Sequence, residues 1–262
     1  MLRFRFLAVV AALTAASAVS SADDKWVTIK GQVVFPAGKD VPKPGKLDVT
    51  QDKDHCLKDG DILDQSIIVN PANRGVKNVV VWLRPADKNP KAKFEADQIH
   101  PDDAKRKPAE VSIDQPCCMF IERITTARPG DTLVVKNSAP VPHNFFWSSS
   151  NNGEYNVTIP KMDKWTMPEK IVAEGPPIQY KCTIHGWMTG YVRIFDHPYY
   201  AVTDKDGKFE IKNAPAGDFR IVYWHEASGF RGGVEGRFGE EVAIKGPALE
   251  MKPTEFDVTP KK

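Results

Sequence analysis

The 262-residue sequence contains no Gly-rich phosphate loop, no G-x-S-x-G and no H-E-x-x-H. Their absence removes the usual signatures of nucleotide binding, serine hydrolysis and zinc proteolysis. None of the six histidines stands in an H-x-H pair, the arrangement copper oxidases use for oxygen chemistry. There is no basic block, no basic stripe interleaved with aromatics, no heptad pattern, no low-complexity tract and no tight repeat. Nucleic acid is therefore excluded as a partner by charge pattern, and coiled-coil or repeat architecture by periodicity. Beyond the first two dozen residues no apolar run approaches the length of a membrane span.

The N-terminus is different. Arg3 and Arg5 form a basic start, residues 7–19 are a short Ala-rich apolar stretch, and Ser20-Ser21-Ala22 offers small residues for cleavage. Residues 1–22 thus read as a secretory signal peptide, the alternative being an uncleaved anchor. The remaining chain is expected to be exported, in the periplasm or cell envelope of a bacterium, with no membrane span. Removing this segment removes two arginines and no acids, so the formal charge falls from +2 to zero. Export also places Cys56, Cys117, Cys118 and Cys182 in an oxidising compartment where disulfides persist.

Short Val, Ile and Thr-rich runs recur at residues 26–35, 66–69, 77–83, 132–137, 143–148, 179–183, 190–195, 208–211, 218–224 and 240–244, between Gly, Pro, Asn and Asp clusters. This is the pattern of an all-β protein, and 21 prolines oppose long helices. A short helix is conceivable only near 97–105. Residues 86–108 are rich in Lys, Asp and Pro and read as a linker or long loop. Asp206-Gly207 between two alternating runs reads as a hairpin turn, and residues 213–218 as a second turn.

One segment concentrates metal-binding chemistry: Tyr180-Lys-Cys-Thr-Ile-His-Gly-Trp-Met-Thr-Gly-Tyr-Val, with Cys182, His185 and Met188 spaced C-x-x-H-x-x-M between strand-like flanks. About forty residues upstream, Pro142-His143-Asn144 opens another strand-like run. A thiolate with two imidazoles and a weak axial thioether is the ligand set of a blue-copper electron-transfer site. Structural zinc normally takes several cysteines and no methionine. Asn144 and Thr183 adjoin the ligands, and an Asn side chain there can tie the Cys loop to the His143 strand. Pro142, Phe145, Phe146, Trp147 and Trp187 are expected to enclose the metal in apolar groups and to leave a docking patch at the His185 edge. With Cys182 assigned to the metal, Cys56 is expected to pair with Cys118 or Cys117. His197 and His225 read as structural hydrogen-bonding residues, and His55 and His100 as solvated.

These segments resemble the copper-binding segments of the cupredoxin family, and the short loop is similar to that of amicyanin. The resemblance implies a Greek-key β-sandwich with one type 1 copper held by His143, Cys182, His185 and Met188. It also implies one-electron shuttling between redox-protein partners rather than catalysis, with His185 as the electron exit. The flanks resemble the carboxypeptidase regulatory-like, transthyretin-type β-sandwich through Lys30-Gly-Gln-Val-Val, residues 203–211 and Pro215-Ala-Gly-Asp-Phe-Arg-Ile-Val. The expected organisation is therefore a signal peptide (1–22), an N-terminal β region (23–108), a cupredoxin domain (109–196) and a C-terminal β region (197–262). In it the two flanks build one transthyretin-like unit around the copper segment. The layout also resembles exported bacterial proteins labelled methylamine-utilisation-like, whose C-x-F-x-P-H pattern departs here to Glu122-Arg123 after Cys118-Met-Phe-Ile. The contrasting functional expectation is a copper-carrying or structural cell-envelope module.

Overall fold

A computed structural model describes residues 25–260. The segment read as a signal peptide lies outside the described residues. The fold is all-β and consists of two sandwiches that share one interface.

The first sandwich joins a five-stranded sheet to a three-stranded one. The larger sheet runs in the order Ile124–Ala127, Thr189–Ile194, Glu174–Lys181, His143–Ser148 and Glu154–Ile159. The smaller has Thr132–Asn137 between Glu110–Ile113 and Asp163–Thr166. Side chains alternate between the two faces of a strand. In His143–Ser148 the alternation sends His143, Phe145 and Trp147 to one face, all fully buried, while Phe146 points away and lies only half-buried beneath Lys181. Phe145 and Trp147 pack with Leu133, Val135, Tyr180 and Val192 in the core. Phe146, expected to line the metal, does not.

The second sandwich uses both flanks. Trp26–Val34 pairs with Lys208–Pro215 in register Gly31↔Phe209, and also with Ala248–Glu250 and Thr254–Glu255. The facing sheet has Gly217–His225 between Val80–Pro85 and Glu240–Ile244. Its two central strands are buried on both faces. Val81, Leu83, Phe219, Ile221 and Tyr223 enter the sandwich core, whereas Val80, Trp82, Val222 and Trp224 face Ile124 and Phe195 of the first sandwich. This double burial explains near-continuous apolar runs where a one-sided sheet would alternate. The interface is locked by Arg123, whose Nη2 donates to Glu226 at 2.7 Å, and by Phe195 stacked on Tyr200 at 4.2 Å.

Three expectations are corrected here. The Asp206-Gly207 turn does not close a hairpin. Tyr200–Val202 pairs with Val80–Pro85, and Lys208–Pro215 with Trp26–Val34, so the turn passes the chain between sheets. Val33 N–H bonds Gly207 O at 2.8 Å, and a Cβ on Gly207, where φ is +71°, would meet Val33 O at 2.2 Å. Only glycine permits that approach. Residues 86–108 are more than a linker. Phe94 and Ile99 pack on the second core, and Arg106 binds the buried Asp131 through two contacts of 2.6 and 2.8 Å. Finally, residues 45–64 belong spatially to the first sandwich. Leu47 N–H bonds Ile62 O and Asp64 N–H bonds Gly45 O, and this closed loop buries Val49, Cys56 and Ile62 in its core.

His197 and His225 are buried and structural. The Nδ1 of His197 accepts from Tyr199 N–H at 3.2 Å, and that of His225 from Ala227 N–H at 3.3 Å. Burial pushes them down to about 3 and about 4, from an ordinary value of 6.5. The unfolded chain therefore binds more protons below pH 6.5, and stability is lost as pH falls from there toward the folded values. Denaturant titrations should show each histidine costing about 1.4 kcal/mol at pH 5.5 relative to pH 7.5. A double His197→Gln, His225→Gln variant should have a flatter profile in that window. An equally steep profile would assign the effect to other groups.

Candidate metal centre

Cys182 immediately follows the Glu174–Lys181 strand, and Thr189–Ile194 begins directly after Met188. The connecting loop is closed by its own backbone: Cys182 N–H bonds Met188 O at 3.1 Å, and Met188 N–H bonds His185 O at 2.8 Å. His143 opens the strand next to Glu174–Lys181, in register Phe146↔Lys181. Sheet neighbourhood thus carries a residue about forty positions away to the mouth of the loop.

Three donor atoms converge. His143 Nδ1 and His185 Nδ1 are 2.9 Å apart, and Cys182 Sγ lies 3.8 Å from His185 Nδ1. All three side chains are buried, as is Met188 at the end of the loop. A cation about 2 Å from each nitrogen and about 2.3 Å from the sulfur leaves its donors ~3–4 Å apart, which is the spacing observed. Two Nδ1 atoms at 2.9 Å require either a shared proton or lone pairs directed at one cation. The residues present therefore fit a soft metal with mixed nitrogen and sulfur ligands.

The electrostatics favour the thiolate. Burial pushes the Cys182 thiol up, but contacts with His143 and His185 and the N–H groups of Asn144 and His185 outweigh it and bring it down to about 6. Those amides lie 3.2 and 3.4 Å from Sγ. For His185, burial lowers the value, yet Cys182 and Asp52 prevail and raise it.

Asn144 is the clamp anticipated from its position. Its Oδ1 accepts from Thr183 N–H at 3.1 Å, and its Nδ2 donates to Asn156 Oδ1 at 2.8 Å and Val157 O at 3.2 Å. Thr183 contributes only its backbone amide, since its side chain is exposed. Replacing Asn144 by Ala should therefore disturb the loop far more than replacing Thr183 by Ala. Hydrogen exchange of the Thr183 amide will check this, with acceleration expected only in the Asn144 variant.

The surroundings differ from expectation at His185. Its imidazole edge is covered and wholly inaccessible, with Nε2 2.8 Å from Asp52 Oδ2. The cover is the 45–64 loop, tied down by a Cys56–Cys118 disulfide. The two sulfurs lie within 4.8 Å of a His185 ring nitrogen; being bonded to each other, they offer no thiolate to a metal. Trp187 closes the other side, its Nε1–H donating to Cys118 O at 3.0 Å. Cys117 is a free thiol raised by burial. Pro142 is exposed and stays outside the enclosure. His55 is half-buried, with an Nε2 that has no partner among the described residues. His100 packs edge-on against Trp26 and accepts from Asp102 N–H through Nδ1. Neither is the solvated histidine expected. Asp52 and its loop were missed because a lone Asp in a polar stretch carries no spacing signal toward a histidine 133 positions away.

Fold and donor cluster together define a β-sandwich protein with a buried, mixed nitrogen and sulfur metal-type site. Part of the chain is similar to solved cupredoxins. A purple cupredoxin from Nitrosopumilus maritimus shares 20% identity over 32% of this chain and 99% of its own, with a TM-score of 0.28. An oxidised amicyanin variant shares 21% over 35% of this chain and 88% of its own, with a TM-score of 0.29. A copper-containing nitrite reductase from Thermus scotoductus shares 15% over 34% of this chain and 23% of its own, with a TM-score of 0.29. No protein-family model and no curated protein matches the chain. Among the described residues no helix is long and apolar enough to cross a membrane.

Proposed function

We propose that this chain is an exported type 1 copper protein that passes single electrons between redox-protein partners. His143, Cys182 and His185 would hold the copper, with Met188 as a weaker thioether donor. The observation that supports it most is the convergence of two buried Nδ1 atoms on a buried sulfur whose thiol is brought down to about 6. Copper held there would supply a one-electron couple. The residues supply the rest: the closed loop and the Asn144 clamp would hold the donors in one arrangement for both oxidation states, and Trp187, its ring 5.1 Å from that of His185, limits water. No reaction on a bound substrate is assigned. The second sandwich is read as one transthyretin-like unit (23–44 and 65–108 with 197–262) flanking the copper sandwich (109–196 with the 45–64 loop), supported by the pairing of Trp26–Val34 with Lys208–Pro215.

A copper carrier must release its metal to an acceptor. Burial of all the donors beneath a tethered loop opposes release and favours the shuttle. The test is a visible absorption spectrum of residues 23–262 after adding copper(II), with Cys182→Ser as control. An intense thiolate-to-copper band that disappears in the control is expected. Its absence in folded, thiol-reduced protein sinks the electron-transfer reading in favour of a structural module. Met188→Gln should keep the colour and lower the reduction potential; an unchanged potential would count against Met188 as a ligand.

A further inference from the structure

Asp52 holds an unusual position. It stands at the N-cap of the helical turn Lys53–Cys56, where an Asp side chain normally accepts a hydrogen bond from the first-turn amides. Here no such bond is made, and the backbone is left-handed, with φ 49° and ψ 36°. The cap is served only by the carbonyl, which accepts from His55 and Cys56 N–H at 3.0 and 2.8 Å. The carboxylate instead reaches His185 Nε2 at 2.8 Å. Two local preferences, the side-chain cap and an ordinary backbone conformation, are set aside where this contact is made. The turn carrying it is fastened at its last residue, where Cys56 bonds Cys118.

An ionised carboxylate only accepts hydrogen bonds, so His185 Nε2 must be the donor. In the neutral ring the Nδ1 lone pair is then directed at Cys182 and His143. We propose that Asp52 is a positioning residue for the metal centre: it fixes the His185 tautomer and ring orientation, makes His185 a stronger donor, and covers the edge through which electrons were expected to leave. The inference rests on the type 1 copper reading for its metal consequences, but the tautomer claim stands without metal.

The experiment uses residues 23–262 as wild type, Asp52→Asn and Asp52→Ala. In copper-free protein, 15N imidazole NMR should show the Nε2–H tautomer of His185 in wild type and Asn, whose amide oxygen still accepts, and a mixed or reversed tautomer in Ala. In copper-loaded protein, Ala should lose 10- to 100-fold in copper(II) affinity, and Asn less. A tenfold loss confined to copper(II) corresponds to a rise of about 59 mV in reduction potential. An unchanged tautomer in Ala overturns the proposal, and so does an unchanged affinity and potential in a wild type that shows the thiolate band. A wild type without that band removes the copper reading instead, and the tautomer result alone then decides the role of Asp52.

Discussion

Opening the Cys56–Cys118 bond should lower stability by about 4 kcal/mol and uncover His185. The bond closes a loop of 62 residues, and the chain-entropy cost of releasing a loop that long is about 4 kcal/mol. Cys118 is fully buried and Cys56 nearly so, inside the core that holds Phe120, Phe145 and Tyr180. A Cys56→Ser, Cys118→Ser chain therefore also places two hydroxyls in an apolar setting, which adds to the loss. The effect should be local as well as global. Trp187 keeps its bond to Cys118 O through the backbone, but the turn bearing Asp52 loses its fastening. Denaturant titration of both proteins measures the first effect. Protection of the His185 ring from a water-soluble modifier, compared in copper-free protein, measures the second. A variant within about 1 kcal/mol of wild type and equally protected would show that packing of Val49 and Ile62 alone keeps the cover down.

Arg123→Ala should be comparably severe, for an unrelated reason. Glu226 is almost fully buried, and Arg123 is its partner across the sandwich interface, through a bidentate pair. Removing one member of such a pair leaves an uncompensated charge and typically costs 3–5 kcal/mol. Arg123 also donates to Thr189 O at 3.2 Å, directly beside Met188, so the change reaches the end of the 182–188 loop. A second substitution separates the causes. Arg123→Met with Glu226→Leu removes both charges while keeping volume, and should recover most of the loss. If the double variant stays as unstable as the single one, the bond to Thr189, not the buried charge, holds the interface.

The legibility of this protein follows from the range of the interactions involved. The C-x-x-H-x-x-M loop with strands on either side is a local arrangement, so spacing alone brought Cys182, His185 and Met188 into view. His143 was found because Asn144 follows it on a strand-like run, and strands of one sheet are neighbours by construction. Period-2 alternation separates Phe146 from Phe145 and Trp147, since successive residues of a strand face opposite ways, and a run of consecutive aromatics hides that division. The Asp206-Gly207 turn was recognised as a turn but assigned to a hairpin, because the same dipeptide serves whenever φ is positive, whatever sheets the strands then join.

By itself the sequence determined the all-β class, the candidate donors and the turn at Gly207, since each depends on residue type and short spacing. The tertiary structure alone decided that residues 45–64 fold over the site, that Asp52 forgoes its capping role for His185, and that the centre of one sheet is buried on both faces. Those outcomes depend on which distant surfaces meet, as Cys56 meets Cys118 and Val222 meets the Ile124 and Phe195 cluster. Burial free energy is non-directional, so no short pattern in the chain encodes that choice of partner.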